Sequence, residues 1–303
     1  MLRYSIIVCT FNRCKYIYPL LESIAHNEYA SDKYEIVFVD NNCTDGTQAE
    51  VERFQADYSA APLRYFKEEQ QGLSHARNRG MREANGEYLI FVDDDAILSK
   101  QYLQNLDNRL NEDPSTLVFG GKITPRYESG KEPEWMNKWA YSWVSALDMG
   151  EEKRTFKPNQ YPIGANMGFH RSIPEKIGTF NTQLGRCKKN MAGGEEKDFF
   201  LRIQQEGIQI QYLPDVQVEH CIPQERTTRE YIKRFALGVG KSERIRTTSI
   251  GKAAFLKRCF SEMIKWGGTL VLWCYFAIRQ QYSKGNALVL FRYHVSKGLF
   301  LQS

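Results

Sequence analysis

The sequence predicts an α/β fold, a mostly parallel open sheet flanked by helices, followed by a helical and basic C-terminal extension. Three observations predict it. Short, continuous apolar runs alternate with segments of helical period, and such runs mark strands buried on both faces. The order strand, helix, strand, helix implies right-handed crossovers within one sheet. From Gly251 onward eight basic residues face Glu262 alone, a balance of +7 that leaves the first 250 residues at −2. With 303 residues the chain is long enough for one large domain and an appendage. At 42% hydrophobic and 25% charged it is neither disordered, collagenous nor coiled coil as a whole.

Each element has a local warrant. SIIVCT (Ser5 to Thr10) is the first strand, and helical periodicity runs from about Tyr16 to Ala25. EIVFVDNN (Glu35 to Asn42) is the second strand, ending in the turn CTDGT, where Gly46 punctuates the chain. A helix over Gln48 to Tyr58 precedes a third strand, LRYFKE. GLSHARNRGMREAN reads as a helix closed by Gly86, and YLIFVDDDA as a fourth strand running into three carboxylates. Beyond Leu117 the texture changes. VFGGKITP looks like a strand, an aromatic stretch spans Trp135 to Trp143, and YPIGANMGFHR reads as strand and turn. GGEEKDFFLRIQQEG opens a helix with acids in its first turn and Gly207 at its end. IQIQYLPDVQVEH is a last, alternating strand. This half is expected to extend the first sheet, and beyond Thr227 the chain reads as helices.

The basic tail points to an anionic partner. Its apolar run WGGTLVLWCYFAI (Trp266 to Ile278) has thirteen uncharged residues, short of the roughly twenty needed to span a bilayer. Trp266, Trp273 and Tyr275, flanked by Lys265 and Arg279, suit a helix lying at an anionic membrane surface better than a nucleic-acid site. Packing on protein or in a homo-oligomer is the alternative. Seven scattered cysteines without a C-x-x-C pair argue against a zinc ribbon or a thioredoxin-type centre and are expected as cytosolic free thiols. The N-terminus enters a strand at once and does not read as a signal peptide.

Open sheets bind ligands beyond the carboxyl ends of their strands, and the unusual polar clusters sit there: Thr10-Phe11-Asn12, Asp40-Asn41-Asn42 and Asp93-Asp94-Asp95. Three adjacent carboxylates repel one another, and a hard divalent cation relieves that repulsion, most naturally with a diphosphate sharing the ion. An acidic turn capping the next helix is the competing reading. Asp40 is placed to accept hydrogen bonds from a ribose or a base, and Arg77 to face a phosphate. No G-x-G-x-x-G or Walker lysine loop is present, so dinucleotide oxidoreductases and P-loop enzymes lose their usual support.

SIIVCTFNR, EIVFVDNNCTDGT, GLSHARNRGM and FVDDDA, in this order and spacing, resemble the nucleotide-sugar domain of inverting family-two glycosyltransferases with the GT-A fold. YPIGANMGFHRS, GGEEKDFFLRI and YLPDVQVEH continue the resemblance to about Tyr231. It implies a Rossmann-like catalytic domain over 1–226, with a nucleotide-sugar half (1–120) and an acceptor half (121–226), then a helical, membrane-associating region over 227–303. It places Thr10, Phe11, Asn12 and Arg13 in the nucleotide pocket with Asn42, Asp40 on the base or ribose, and Arg77 near the diphosphate. Asp93 would contact the nucleotide beside Asp94, and Asp95 would ligate Mn²⁺ or Mg²⁺, with His220 completing the metal site. Asn166 matches a position near the sugar and acceptor.

One motif departs from the family pattern. Where Glu-Asp is usual, this chain has Glu195-Glu196, so the aligned general base is Glu196, one methylene longer, with Glu195 and Asp198 as rivals. Helix-N-terminal acids are otherwise common. The resemblance thus implies a metal-dependent inverting glycosyltransferase of the cell-surface polysaccharide type, using a nucleotide-diphosphate sugar (UDP by family frequency). Its acceptor would be a glycan or lipid-linked hydroxyl, and its place the cytoplasmic face of the inner membrane. A sugar nucleotidyltransferase, or a catalytically degenerate scaffold binding glycans or membranes, is the alternative.

Overall fold

The computed structural model describes residues 2–184 and 194–300. Two compact units are present, one made of 1–126 with 145–221 and the other of 127–144 with 222–303. The aromatic stretch around Trp135, expected in the acceptor half, thus groups with the C-terminal helices.

In the first unit the chain runs β1 (Tyr4–Thr10), α1 (Cys14–Ala25), β2 (Tyr34–Asp40), α2 (Thr47–Asp57), β3 (Leu63–Lys67), α3 (Leu73–Glu83) and β4 (Tyr88–Asp93). Then follow β5 (Ala96–Leu98), α4 (Tyr102–Glu112), β6 (Val118–Tyr127), β7 (Arg154–Thr155), β8 (Met167–His170), α5 (Ser172–Ile177), α6 (Glu195–Gln205) and β9 (Gln211–Ile222). The sheet order is β3-β2-β1-β4-β8-β6-β9-β5, with β7 on β9. β1 pairs parallel with β2 and β4, and β2 with β3, as the continuous apolar runs require. β8 then enters antiparallel against β4. The second half therefore extends the first sheet.

Register decides where the strands end. Thr10 lies opposite Asp40 and Cys9 opposite Asp93, so the three polar clusters emerge level with one another. Apolar side chains on the two sheet faces form separate clusters, one around Ile6, Leu20, Phe38 and Leu106, the other around Ile7, Phe91, Phe169 and Phe199. One strand differs from expectation, and one helix lies where the sequence reading assigned no element. The fourth strand stops at Asp93 rather than running through the carboxylates, because the chain turns and restarts as β5, and α4 fills the gap before β6. Its buried Tyr102, Leu103, Leu106 and Leu110 follow the i, i+1, i+4, i+8 spacing of one helix face.

The second unit carries α7 (Arg229–Ile250), α8 (Lys252–Ile278) and α9 (Tyr282–Phe300). Thr228 caps α7 by accepting from the Tyr231 amide. Trp143 stacks on Phe291 with ring centroids 4.3 Å apart, and Trp135 donates its indole N–H to the Thr227 carbonyl at 2.8 Å. Among the described residues no helix is long and apolar enough to cross a membrane.

Candidate active site

The turn after β4 sends its three carboxylates in different directions. Asp93 stays open, its side chain 35% exposed. Asp94 turns inward, where it accepts from the Thr10 hydroxyl at 2.7 Å and meets Arg13 Nη1 at 3.2 Å. Burial pushes the Asp94 carboxyl up to about 7, with Arg13 opposing and the Asp95 charge adding to the rise. Asp95, 1% exposed, is bonded by the other Arg13 nitrogen and lies 3.0 Å from His220 Nε2. That last contact follows from strand pairing: β9 runs antiparallel to β5 with His220 opposite Ala96. Ligand atoms of Asp93, Asp95 and His220 lie within 4.8 Å of one another. Two carboxylates and one imidazole form a donor set that fits a divalent cation of mixed oxygen and nitrogen preference. Sequence reasoning paired Asp95 with His220; the fold adds Asp93 to the cluster.

A second cluster adjoins Asp93. Arg77, on α3 and only 2% exposed, points Nη1 at Glu195 Oε1 (3.1 Å) and Nη2 at Glu196 Oε1 (2.8 Å). Asp93 Oδ1 lies 3.7 Å from the same Nη2. Burial alone would lower the Arg77 pKa, but the charges of Glu196, Glu195 and Asp93 outweigh it and hold the guanidinium cationic. Glu196 is pushed above the ordinary glutamate range by burial, Arg77 opposing and Glu195 and Asp93 adding to it. Glu195 is buried and takes the Gly194 amide at 3.0 Å on its other oxygen. Gly194, at φ +130°, starts α6 from a backbone conformation that side chains disfavour. Gly193, the other half of that pair, lies outside the described residues. Asp198 is not part of this cluster; it faces Arg202, one turn along α6, at 3.0 Å.

The remaining candidates divide by exposure. Asn12 and Asn42 both adopt left-handed backbone (φ 53° and 64°), and Asn12 accepts from the Thr44 amide at 2.7 Å. Phe11 is half-buried between Thr10 and this loop. Asp40 accepts from the Cys43 amide (2.6 Å) and the Tyr65 hydroxyl (2.5 Å) and is 3% exposed. Asn166 is fully buried: its amide donates to the carbonyls of Lys122 (3.1 Å) and Val216 (2.8 Å) and accepts from the Tyr102 hydroxyl (2.7 Å). It ties β6, β9 and α4 together and is not presented to the open side of the cluster. The neighbouring Gly164, which sequence reasoning passed over, matters more. A Cβ there would lie 2.1 Å from Arg77 Nη2 and 2.2 Å from Glu196 Oε1. Its signal was the GAN triplet, read for its asparagine rather than its glycine.

A mixed sheet of this order flanked by helices is the GT-A fold. The family model for glycosyl transferase family 2 matches residues 5–178. The chain belongs to that family and is a glycosyltransferase. It is 25% identical over 252 residues to a glucosyl-dolichyl phosphate glucuronosyltransferase of Haloferax volcanii, covering 80% of this chain and 77% of that one. In fold it is similar to a mannosyltransferase of Pyrobaculum calidifontis solved with GDP-Man and Mn²⁺ (TM-score 0.64, 21% identity, 98% of this chain and 87% of that one). It is also similar to residues 1–349 of Staphylococcus aureus TarS solved with UDP (TM-score 0.54, 21% identity, 78% of this chain and 65% of that one).

Proposed function

We propose that this chain transfers a sugar, with inversion, from a nucleoside-diphosphate sugar to a hydroxyl of a lipid-linked or glycan acceptor at an anionic membrane surface. The observation that carries the reading is the junction of two clusters: Asp93, Asp95 and His220 within 4.8 Å, and the Arg77–Glu196 pair, which Asp93 reaches through Arg77. Mn²⁺ or Mg²⁺ held by the first cluster would offset the negative charge that develops on the departing diphosphate. The Arg77 guanidinium, locked cationic, adds fixed positive charge on the same side. Glu196 accepts the proton of the acceptor hydroxyl; its raised basicity suits that task. A bond forms from the acceptor oxygen to the anomeric carbon, the carbon–oxygen bond to the diphosphate breaks, and the nucleoside diphosphate leaves with its electron pair. Asp94, paired with Thr10 and Arg13, holds the turn in shape.

The dolichyl-phosphate relative supports a lipid-linked acceptor, and the UDP-bound TarS structure supports UDP as nucleotide, with GDP as the alternative. The membrane surface is supported by the +7 charge beyond Gly251 and by an apolar stripe on α8. Leu256, Phe260, Met263, Ile264, Val271 and Ile278 on that stripe are 63–84% exposed. Hydrolysis of UDP-, GDP- and dTDP-sugars, measured with Mn²⁺, Mg²⁺ or excess EDTA, tests the reading. Nucleoside diphosphate should be released only with metal, and Asp95→Ala should bind Mn²⁺ at least about tenfold more weakly by calorimetry. Release of pyrophosphate, or full turnover in EDTA, overturns it.

A further inference from the structure

Membrane contact uses the exposed stripe of α8 but not the buried charges and the groove that the C-terminal unit also holds. Glu262, 2% exposed on α8, is faced by two guanidinia, Arg258 Nη1 at 2.8 Å and Arg292 Nη1 at 3.2 Å. Arg258 shares Glu243 at 3.1 Å, whereas Arg292 turns its Nε toward the Thr269 hydroxyl at 3.4 Å. Lys265 lies one turn before Thr269 and makes no ion pair among the described residues. Positive charge is therefore in excess where Arg292 and Lys265 line a groove of about 640 Å³ formed by α8, α9 and the stretch 139–143.

Apart from Ser142 and Thr269, the rest of the groove lining is apolar. Trp143 stacked on Phe291, together with Leu272 and the buried Leu288, lines it. Gly268 also lines the groove, and a Cβ there would meet nothing within 4 Å, so a large side chain can be placed at this position. Val271 lines the groove and also belongs to the exposed stripe of α8, where it is 69% exposed. Cationic and apolar side chains thus line one groove, and Val271 joins that groove to the exposed stripe of α8. A bare anion would leave the aromatic wall unused, a neutral hydrocarbon would leave Lys265 unanswered, and a second copy of α8 offers its stripe but no anion.

We propose that this groove binds a phosphate carried on a long hydrocarbon chain, with the phosphate at Lys265 and Arg292 and the first carbons against Trp143, Phe291 and Leu272. The site rests on the reading that the acceptor is lipid-linked, and it supplies the contact that would recognise the lipid phosphate rather than the sugar.

Farnesyl phosphate, below its micelle concentration, is titrated into the full-length chain while emission is followed from its five tryptophans, of which Trp139 and Trp143 line the groove. Farnesol and inorganic phosphate serve as comparison probes, and donor hydrolysis is measured on the same preparation. Farnesyl phosphate should saturate the signal, with farnesol at least about tenfold weaker, the fold-change expected for one lost charge-assisted contact. Inorganic phosphate should give no response at millimolar concentration. Lys265→Gln should weaken farnesyl phosphate about tenfold. Gly268→Phe, which places a large side chain in the groove lining and favours the helix, should abolish binding with the far-ultraviolet circular dichroism unchanged. Equal binding of farnesol and farnesyl phosphate, or wild-type affinity in both variants, overturns the site. So does failure of the wild-type chain to bind, whether monomeric or dimeric by sedimentation. Binding without donor hydrolysis would instead sink the transferase reading and leave the groove standing.

Discussion

A single methyl group tests whether the Arg77–Glu196 pair is the working centre. In Gly164→Ala the new Cβ would lie 2.1 Å from Arg77 Nη2 and 2.2 Å from Glu196 Oε1. Carbon and polar atoms settle no closer than about 3 Å, so one or both charged groups must retreat by roughly 1 Å. Arg77 has nowhere to go: it is 2% exposed and meets Glu195 at 3.1 Å, Glu196 at 2.8 Å and Asp93 at 3.7 Å. The pair is displaced rather than deleted, so the stability cost is that of overpacking, about 1–3 kcal/mol, not the 3–5 kcal/mol or so of an orphaned buried charge. The catalytic cost is larger in proportion, since a 1 Å misplacement is worth on the order of a hundredfold in rate. Thermal denaturation and steady-state transfer, measured side by side, separate the two. Turnover should fall about a hundredfold while the folded fraction at assay temperature stays near that of wild type. Gly238→Ala in α7, where a Cβ meets nothing within 4 Å, is the control and should stabilise slightly, by up to about 1 kcal/mol. Wild-type turnover in Gly164→Ala would refute the placement of the chemistry at this pair.

Glu196→Gln should lower turnover by roughly a hundredfold or more with donor affinity retained, whereas Asp198→Asn, whose partner is Arg202, should cost only a few-fold; the reverse ranking would move the base. Because Glu196 is pushed above the usual glutamate range, which lies near about 4.3, the acid limb of kcat/KM should fall above that value and disappear in Glu196→Gln. The folded state also holds this proton more tightly than the unfolded chain does. Glu196 therefore costs stability as pH rises through its folded value, and the glutamine variant should melt with a flatter pH dependence. Asn166→Ala strips partners from the Lys122 and Val216 carbonyls and the Tyr102 hydroxyl. It should lose about 2–4 kcal/mol in denaturant titration while the protein that remains folded binds donor normally; unchanged stability with lost activity would restore it to the substrate site.

What the sequence determined by itself was local and periodic. Apolar runs of strand length marked β1, β2 and β4, and parallel pairing followed because such runs must be buried on both faces. The position of the ligand end followed too, because polar clusters closed each of those strands. The same reading ran β4 into the carboxylates, where an acidic turn was the competing reading, and the strand in fact stops at Asp93. Order in the chain likewise could not rank three acids at the start of one helix. Only tertiary structure decided that Glu196 meets Arg77, 119 residues away, whereas Asp198 meets Arg202 as an i, i+4 neighbour on the same helix. Helical geometry fits the split, because Glu196 and Asp198, two residues apart, point about 200° apart around the helix axis. The antiparallel register of β5 on β9 brought His220 to Asp95, and a glycine without a side chain made room for an ion pair it does not join. Those contacts depend on atoms brought together from distant parts of the chain, and a one-dimensional pattern carries no record of such distances.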